Sequence, residues 1–567
     1  MFVNDSIKKS EEQPAGEISD RIAVETSFKT TGTPVITKIL YWLIIVCCIS
    51  KIALTILCHF CIESILDDAF MFTRYADNMI DYGKLSWNPG GLPTYGATSI
   101  LYIFFIIPIR LIIPGNTGLV ASLSSILSGI LFIVFMLLIL TKYTGADRRL
   151  RRAFVLFFFF SIAYPFGLEA DHFASGMDTC FTLSYLALFI LLAKQYEKKP
   201  SATAAVILGT VGGLAFFARP DLLIYTYIAP LSIAFFSADR KDKRNALIAF
   251  SVTVLVTAAQ ICIAYWYFNS PLPLSFYIKG VKYYGEHIYE IYKYKPVSQL
   301  VIYIISYWLL FALIISSLII GFRNWMTRTS GLDKGLLMAT FIFIFYYLFF
   351  VLQIMYNGQR FYYPTLPALI YLAAKSAVII IDKVKESLRP KDIEFPKSLA
   401  PLLMACFMGI IALPIFMVIQ DVRKGFAQKI IGHYKIDKNY SYMKWYALPE
   451  FSALPDDLVI ATTEIGLVSM LNPRKQVIDM AGLNETYFAH NGFSADLLFH
   501  KYNPDLIYMP HPHYREMKRQ IIENPYFQQH YIYFTGDQLH YILGVSLRTD
   551  SKYYQAMQNI INKAFSN

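Results

Sequence analysis

Charge is scarce in this chain. Asp, Glu, Lys and Arg make up 16% of its 567 residues, while 56% are hydrophobic. Soluble globular domains carry about 25% charged and about 45–50% apolar residues. That shortage excludes a freely soluble cytosolic enzyme and a disordered chain. Cysteine is sparse too. Cys47, Cys48, Cys58, Cys61, Cys180, Cys262 and Cys406 all lie in or beside apolar runs, and none lies in the polar C-terminal part. No disulfide framework follows, and the lone Cys58-His59-Phe60-Cys61 lacks the further ligands of a zinc site. There is no G-x-x-x-x-G-K-[ST], no G-x-G-x-x-G after a strand, no H-E-x-x-H and no G-x-S-x-G, so nucleotide-driven transport and serine hydrolysis have no support. Residues 1–37 contain neither an apolar core nor a small-residue cleavage site, which excludes a signal peptide and leaves a polar cytosolic tail. Repeats and low-complexity tracts are absent.

What the chain has instead is long apolar runs, rich in its 44 Phe and 41 Tyr. Runs near 38–60, 119–141, 152–166, 178–194, 201–219, 221–236, 245–267, 299–321, 336–355, 361–381 and 398–419 are candidates to cross about 30 Å of hydrocarbon. The run 96–113 is interrupted by Pro108, Arg110 and Pro114. If it does not cross, the basic clusters Lys142–Arg152, Lys194–Lys199, Arg240–Arg244, Arg323–Lys334 and Lys383–Lys397 share one side with the N-terminal tail. If it crosses, all of them land opposite the tail. The positive-inside rule therefore makes 96–113 a juxtamembrane or re-entrant element. The net charge of +11 follows from the same loops and calls for no nucleic-acid partner. The expectation is an α-helical polytopic membrane protein: a module over 38–419 with about eleven spans plus juxtamembrane helices, its N-terminus inside, its first external loop over 61–118.

Residues 420–567 are polar and aromatic. Strand-like runs at Asp457–Thr462 and Pro504–Tyr508, with helical patterns near 512–522 and 552–565, predict a small extracytoplasmic α/β domain.

The first loop opens Leu66-Asp67-Asp68-Ala69-Phe70. Two adjacent carboxylates where an apolar helix leaves the membrane repel each other. That raises one pKa unless a cation is near, and it suits a general base or a metal ligand beside a base. The same Asp67 also fits a helix cap at the start of the following amphipathic helix. Further along, Trp87-Asn88-Pro89-Gly90-Gly91 reads as a turn. On a second loop Glu169, Asp171 and His172 form an acid–x–acid–His pattern able to join Asp67 or Asp68 around a metal, or simply a polar surface. Asp178 starts a span as either a helix cap or a hydrogen-bonding group. In the C-terminal part, His490, His500, His511 and His513 have no partner fixed by spacing, and Glu464 and Asp479 fit strand-end turns or an acceptor cleft.

With these residues in view the chain resembles polytopic GT-C glycosyltransferases, above all bacterial arabinofuranosyltransferase-like membrane proteins. The resemblance lies in Asp67-Asp68-Ala69-Phe70, Phe72-Thr73-Arg74-Tyr75-Ala76, Asn88-Pro89-Gly90 and Tyr95-Gly96. It continues through Gly176-Met177-Asp178-Thr179, where the family commonly has Glu, and Arg219-Pro220-Asp221. It goes on to Tyr267 through Pro273 with Lys279, where Leu274-Ser275 replaces the family's Asn-Thr, then Arg360 with Pro364, and Val477-Ile478-Asp479 through Gly482-Leu483. These patches keep the family's order along nearly the whole chain. The resemblance implies transfer of a sugar from a polyprenyl-phosphate donor to an envelope glycan or lipid-linked acceptor, on the extracytoplasmic face of a bacterial inner membrane. It makes Asp67 the base and Asp68 an orienting or metal-holding partner. A divalent cation (Mg, Mn or Ca) is optional in such enzymes, and Asp67, Asp68 and His172 are its candidate ligands here.

The departing phosphate gains negative charge, so the site needs cations near the membrane surface. Arg219, Lys279, Lys282 and Arg360 are the candidates. Tyr75, Glu169, Asp178 and Tyr363 are candidate substrate contacts. The competing reading is a transporter or a flippase for lipid-linked saccharides. It predicts charges in mid-span and two related halves, whereas the ionisable residues here gather at span ends.

Overall fold

A computed structural model describes residues 41–46, 48–50, 52–53, 67–163, 171–278, 293–351, 359–388, 448–535 and 544–565. The expected span 398–419, most of 38–60, and Glu169, Lys279 and Lys282 lie outside them.

The apolar runs fold into helices. After α1 (Ala69–Tyr82) and α2 (Ile100–Ile112) come α3 (Thr117–Lys142), α4 (Arg148–Ala163), α5 (Thr179–Lys198), α6 (Ala202–Ala218), α7 (Leu223–Phe236), α8 (Arg240–Phe268), α9 (Lys295–Ser306), α10 (Trp308–Arg328), α11 (Gly331–Phe349) and α12 (Leu366–Leu388). Among the described residues six helices are long and apolar enough to cross a membrane: α3, α5, α8, α10, α11 and the stretch Tyr363–Lys383. Shorter apolar helices lie at the expected spans 201–219 and 221–236 and at part of 38–60. The chain is thus a multi-pass membrane protein. Its outer surface is apolar where lipid would lie; Leu255, Ile263 and Trp266 of α8 are exposed.

Close helix packing follows from small residues. Gly209, Gly212 and Gly213 of α6 face α8, where a Cβ would press into Val252, Thr253 and Val256. Without a hydrophobic drive between helices in lipid, such close approach supplies the contact energy.

One expected span is corrected. The run 299–321 is not a single helix but breaks at Tyr307 (φ −115°, ψ 24°) into α9 and α10. The run contains no Pro or Gly at the break. The packing there is tertiary: Tyr303 and Tyr307 are buried with tilted rings 5.1 Å apart, and Tyr303 stacks on Tyr362 at 5.7 Å.

Helix α2 has 13 residues, about 20 Å at 1.5 Å per residue, short of the roughly 30 Å needed to span. Its Arg110 forms a two-pronged ion pair with Asp77 of α1, at 2.7 and 3.2 Å. This pair ties α2 to α1.

The two ends of the bundle differ. At one, the basic loops are tied together by Lys194, whose Nζ reaches Asp333 at 2.5 Å, Glu197 at 2.8 Å and the Ser330 hydroxyl at 3.1 Å, while Tyr371 donates to Asp333. At the other end lie α1, α2 and the C-terminal domain.

That domain holds a five-stranded sheet in the order β2-β1-β3-β5-β4, built from β1 (Val459–Thr462), β2 (Gln476–Asp479), β3 (Leu506–Tyr508), β4 (Tyr531–Phe534) and β5 (Val545–Arg548). Strands β1, β2 and β3 are parallel, with Thr462 level with Asp479; β5 runs antiparallel to β3 and β4. Helix α13 (Ile465–Leu471) joins β1 to β2; α14 (Arg515–Glu523) and α15 (Tyr554–Phe565) match the expected helical stretches. One apolar core runs across the junction: Phe72, Tyr75, Trp87 and Ile103 cluster with Ile465, Val468, Val477 and Leu506.

In a variant with its native cysteines replaced by serine, cysteines introduced at Gly115 and at His500 should react with a membrane-impermeant maleimide from the same side. Labelling from opposite sides would show that α2 crosses.

Candidate active site

Asp68 occupies the N-cap position of α1, but its side chain does not cap that helix. Nor does Asp67 cap it. The Asp67 carboxylate instead accepts the backbone N–H of Gly466 at 3.1 Å and that of Leu467, the second and third residues of α13. Glu464, the N-cap residue of α13, makes no side-chain cap of its own. The cap expected for Asp67 therefore exists, but on a helix far along the chain. A Cβ at Gly466 would collide with the Asp67 backbone carbonyl, so only glycine allows this approach.

Arg74 completes the arrangement at the other end of α13. Its Nη1 donates to the carbonyls of Ser469 and Asn472, both at 3.1 Å, its Nη2 to that of Lys475 at 2.8 Å, and its Nε to that of Trp87 at 2.7 Å. An anion sits at the positive end of α13's dipole and a cation at its negative end. The seven-residue helix is bracketed by two side chains seven positions apart.

Beside it, Trp87 Nε1 donates to the Val477 carbonyl and Asn88 Oδ1 accepts the Val477 N–H, each at 2.8 Å. These two side chains close the open edge of β2. The expected turn is present as well: Gly91 N–H donates to the Asn88 carbonyl at 3.0 Å, with Gly90 at φ 65°.

At the carboxyl end of β2, Asp479 is fully buried and accepts the N–H groups of Ala481, Gly482 and Asn484 and the Asn484 side-chain amide, at 2.7–3.1 Å. Asn484 in turn accepts the Tyr75 hydroxyl at 2.9 Å, and Tyr75 accepts the Gly96 N–H at 3.2 Å. Tyr75 is buried in this seam rather than open to a substrate.

Four carboxyl groups thus gather where the first loop meets the domain. Burial, then the charge of Asp68, pushes Asp67 up to about 6, against the two N–H donors that favour its charged form. Glu464 is pushed up to about 8 by burial and by Asp67, Asp68 and Asp479. Burial takes Asp479 up to about 7 despite its hydrogen bonds. Asp68 has 34% of its side chain exposed, and both Nη atoms of the buried Arg360 reach its Oδ2 at 3.2 Å.

The other sequence candidates distribute as follows. Arg219 Nη2 lies 3.0 Å from Asp221 and 3.1 Å from the Tyr347 hydroxyl, which donates to Asp221 at 2.5 Å. Arg219, a candidate for phosphate, is thus paired with its near neighbour Asp221. Asp178 does not cap α5 with its side chain; it accepts a hydrogen bond from Ser99. Tyr363 is buried and donates to Gln359 at 3.4 Å, with the His172 ring 5.1 Å away. Among the described residues no three His, Cys, Asp or Glu side chains converge to hold a metal, so Asp67, Asp68 and His172 do not make a ligand set there.

Arg74 is the residue that sequence reasoning passed over. Its signal was its spacing from Asp67, but that spacing has meaning only once α13 lies alongside.

No protein-family model matches the sequence, and no curated protein sequence matches it. Two solved structures of the oligosaccharyltransferase AglB from Archaeoglobus fulgidus are similar: a crystal structure of the apo form and a complex with an inhibitory peptide and a dolichol-phosphate. Each has a TM-score of 0.46 and 12% identity, covering 81% of this chain and 69% of that one. Likeness of that degree assigns no activity.

Arg74→Ala leaves buried carbonyls dry, at about 1–3 kcal/mol each. It should lower the unfolding temperature in detergent by about 6 °C or more and speed proteolysis of the C-terminal domain. Arg74→Lys should not restore either, because an ammonium lacks the planar fork. The pH dependence has a defined sign. Carboxyl groups whose folded pKa is raised hold more protons folded than unfolded. Their contribution is fully present below the unfolded value of about 4 and is lost as pH rises through about 6 to 8. The unfolding temperature should therefore fall between pH 5 and pH 8, and Glu464→Gln should flatten that fall. A rise over the same range in wild type would contradict the assignment.

Proposed function

We propose that this protein is a GT-C-type glycosyltransferase. It moves a sugar from a polyprenyl-phosphate donor to an envelope glycan or lipid-linked acceptor on the extracytoplasmic face of a bacterial inner membrane. The observation that supports this most is the Asp67–Asp68 pair, held at the end of the bundle by α13 and faced by Arg360. The ordered resemblance of the surrounding motifs supports it independently.

In this reading Asp67 is the general base. The two α13 N–H donors fix the plane of its carboxylate, and a pKa of about 6 lets it take a proton near neutral pH while remaining charged beforehand. The acceptor hydroxyl gives its proton to Asp67 as its oxygen forms a bond to the anomeric carbon. The bond from that carbon to the phosphate oxygen breaks, and its electron pair leaves with the polyprenyl phosphate. The phosphate gains one negative charge, which Arg360 and Arg219 stabilise; Lys279 and Lys282 are proposed to add to this. Asp68 holds Arg360 before the donor arrives. Asp178, Tyr363 and Glu169 remain proposed substrate contacts. Among the described residues no group of three His, Cys, Asp or Glu side chains converges on a divalent cation.

The test is a transfer assay. Purified protein would be given radiolabelled polyprenyl-phosphate arabinose, mannose, glucose or galactosamine with crude envelope glycan, with and without chelator. Wild type should consume one donor, with an acid limb near pH 6. Asp67→Asn should lower turnover about 10²–10⁴-fold while still binding donor. Arg219→Ala and Arg360→Ala should raise the donor KM. Substantial transfer by folded Asp67→Asn protein would falsify the assignment of the base.

A further inference from the structure

We infer that the crevice between the carboxyl ends of β1 and β3, lined by Thr463, Glu464, His511 and His513, is a binding site for the hydroxyl groups of an uncharged acceptor saccharide. This deepens the glycosyltransferase reading and rests on it.

The topology makes the crevice. From β1 the chain passes through α13 to β2 on one side; from β2 it returns past β1 to β3 on the other. The three strands are parallel, so the two connections part at the carboxyl ends of β1 and β3. Ligands of open α/β sheets bind at such switch points.

The lining is polar and set in place. His511 donates its backbone N–H to Thr463 Oγ1 at 3.2 Å, which ties the loop after β3 to the end of β1. The His511 Nδ1 accepts the backbone N–H of His513 at 3.3 Å, and the two rings lie 4.2 Å apart. With Nδ1 accepting, the neutral ring carries its proton on Nε2, which becomes a donor. Burial and His513 lower His511 to about 4, so the ring is neutral at pH 7. Glu464 is partly buried. Among the described residues its carboxyl makes no hydrogen bond or ion pair, in contrast to Asp67, Asp68 and Asp479.

The chemistry of these groups selects the ligand. Protonated Glu464 offers one donor and acceptor oxygens; His511 offers a donor; the Thr463 hydroxyl offers both. That is the complement of neighbouring sugar hydroxyls. The charges of Asp67, Asp68 and Asp479 act on Glu464, so a phosphate, a carboxylate or an acidic peptide would be repelled. Glu464 immediately precedes the residues whose N–H groups hold Asp67. The proposed acceptor site is thus continuous in the chain with the helix start that holds the proposed base.

The experiment uses the full chain in detergent and has two arms. In the transfer assay, Glu464→Ala and His511→Ala should raise the KM for the envelope-glycan acceptor at least tenfold while the donor KM stays within twofold. Glu464→Gln, which keeps a donor and an acceptor, should lie nearer to wild type. If wild type transfers sugar and the alanine variants leave the acceptor KM unchanged, the crevice assignment is overturned and the glycosyltransferase reading stands. In the second arm, saturation-transfer NMR probes binding of methyl mannopyranoside, methyl galactopyranoside and methyl arabinofuranoside without donor. Signals lost in Glu464→Ala and His511→Ala but kept in Glu464→Gln and Arg219→Ala support the subsite even if no donor is consumed. Folded wild type that gives no saturation transfer to any of the three overturns it.

Discussion

The bracket around α13 is the interaction on which the rest of the structure depends. Asp67 and Arg74 belong to the first loop, while α13 belongs to the C-terminal domain. Each satisfies backbone groups that a short helix leaves unpaired at its ends. Seven residues are too few for a helix to persist alone in water, so α13 exists because another part of the chain closes both its ends. In return, α13 turns the Asp67 carboxylate in a single direction. Docking of the domain and orientation of the carboxylate are one event.

The seam extends from that bracket. Trp87 and Asn88 satisfy the backbone of Val477 on the open edge of β2, and Tyr75 reaches through Asn484 to Asp479. These are hydrogen bonds in an apolar setting, where leaving either partner unpaired is costly. The first loop therefore acts as part of the C-terminal domain's core as much as a part of the membrane module. The shared apolar cluster of Phe72, Trp87, Val468 and Val477 says the same in terms of packing.

This assembly concentrates negative charge at low polarity. Asp67, Glu464 and Asp479 each titrate well above an ordinary carboxylate, so the fold holds carboxyl groups in a setting that disfavours their charged form. One cation, Arg360, answers Asp68 directly. Differences of this size between neighbouring carboxyl groups separate acids from bases. They also bias the crevice toward neutral ligands.

The sequence by itself determined the membrane class. Long apolar runs located the helices α3 to α8, α11 and α12, because hydropathy acts locally. The strand-like runs Asp457–Thr462 and Pro504–Tyr508 revealed β1 and β3, while β2, β4 and β5 stayed hidden. Those strands are short, and a short strand is defined by its neighbours. The break at Tyr307 was invisible for the same reason: it lies where buried Tyr303 and Tyr307 pack, Tyr303 against Tyr362 of a later segment, with no Pro or Gly to mark it. The Asp67–Asp68 pair stood out, and two local roles, cap or base, fitted it. Only tertiary structure decided that the cap lies 399 residues away, that Arg74 is its counterpart, and that Ser99 rather than a helix end holds Asp178. A side chain's partner is set by what the fold brings within about 3 Å, and no local pattern encodes that distance.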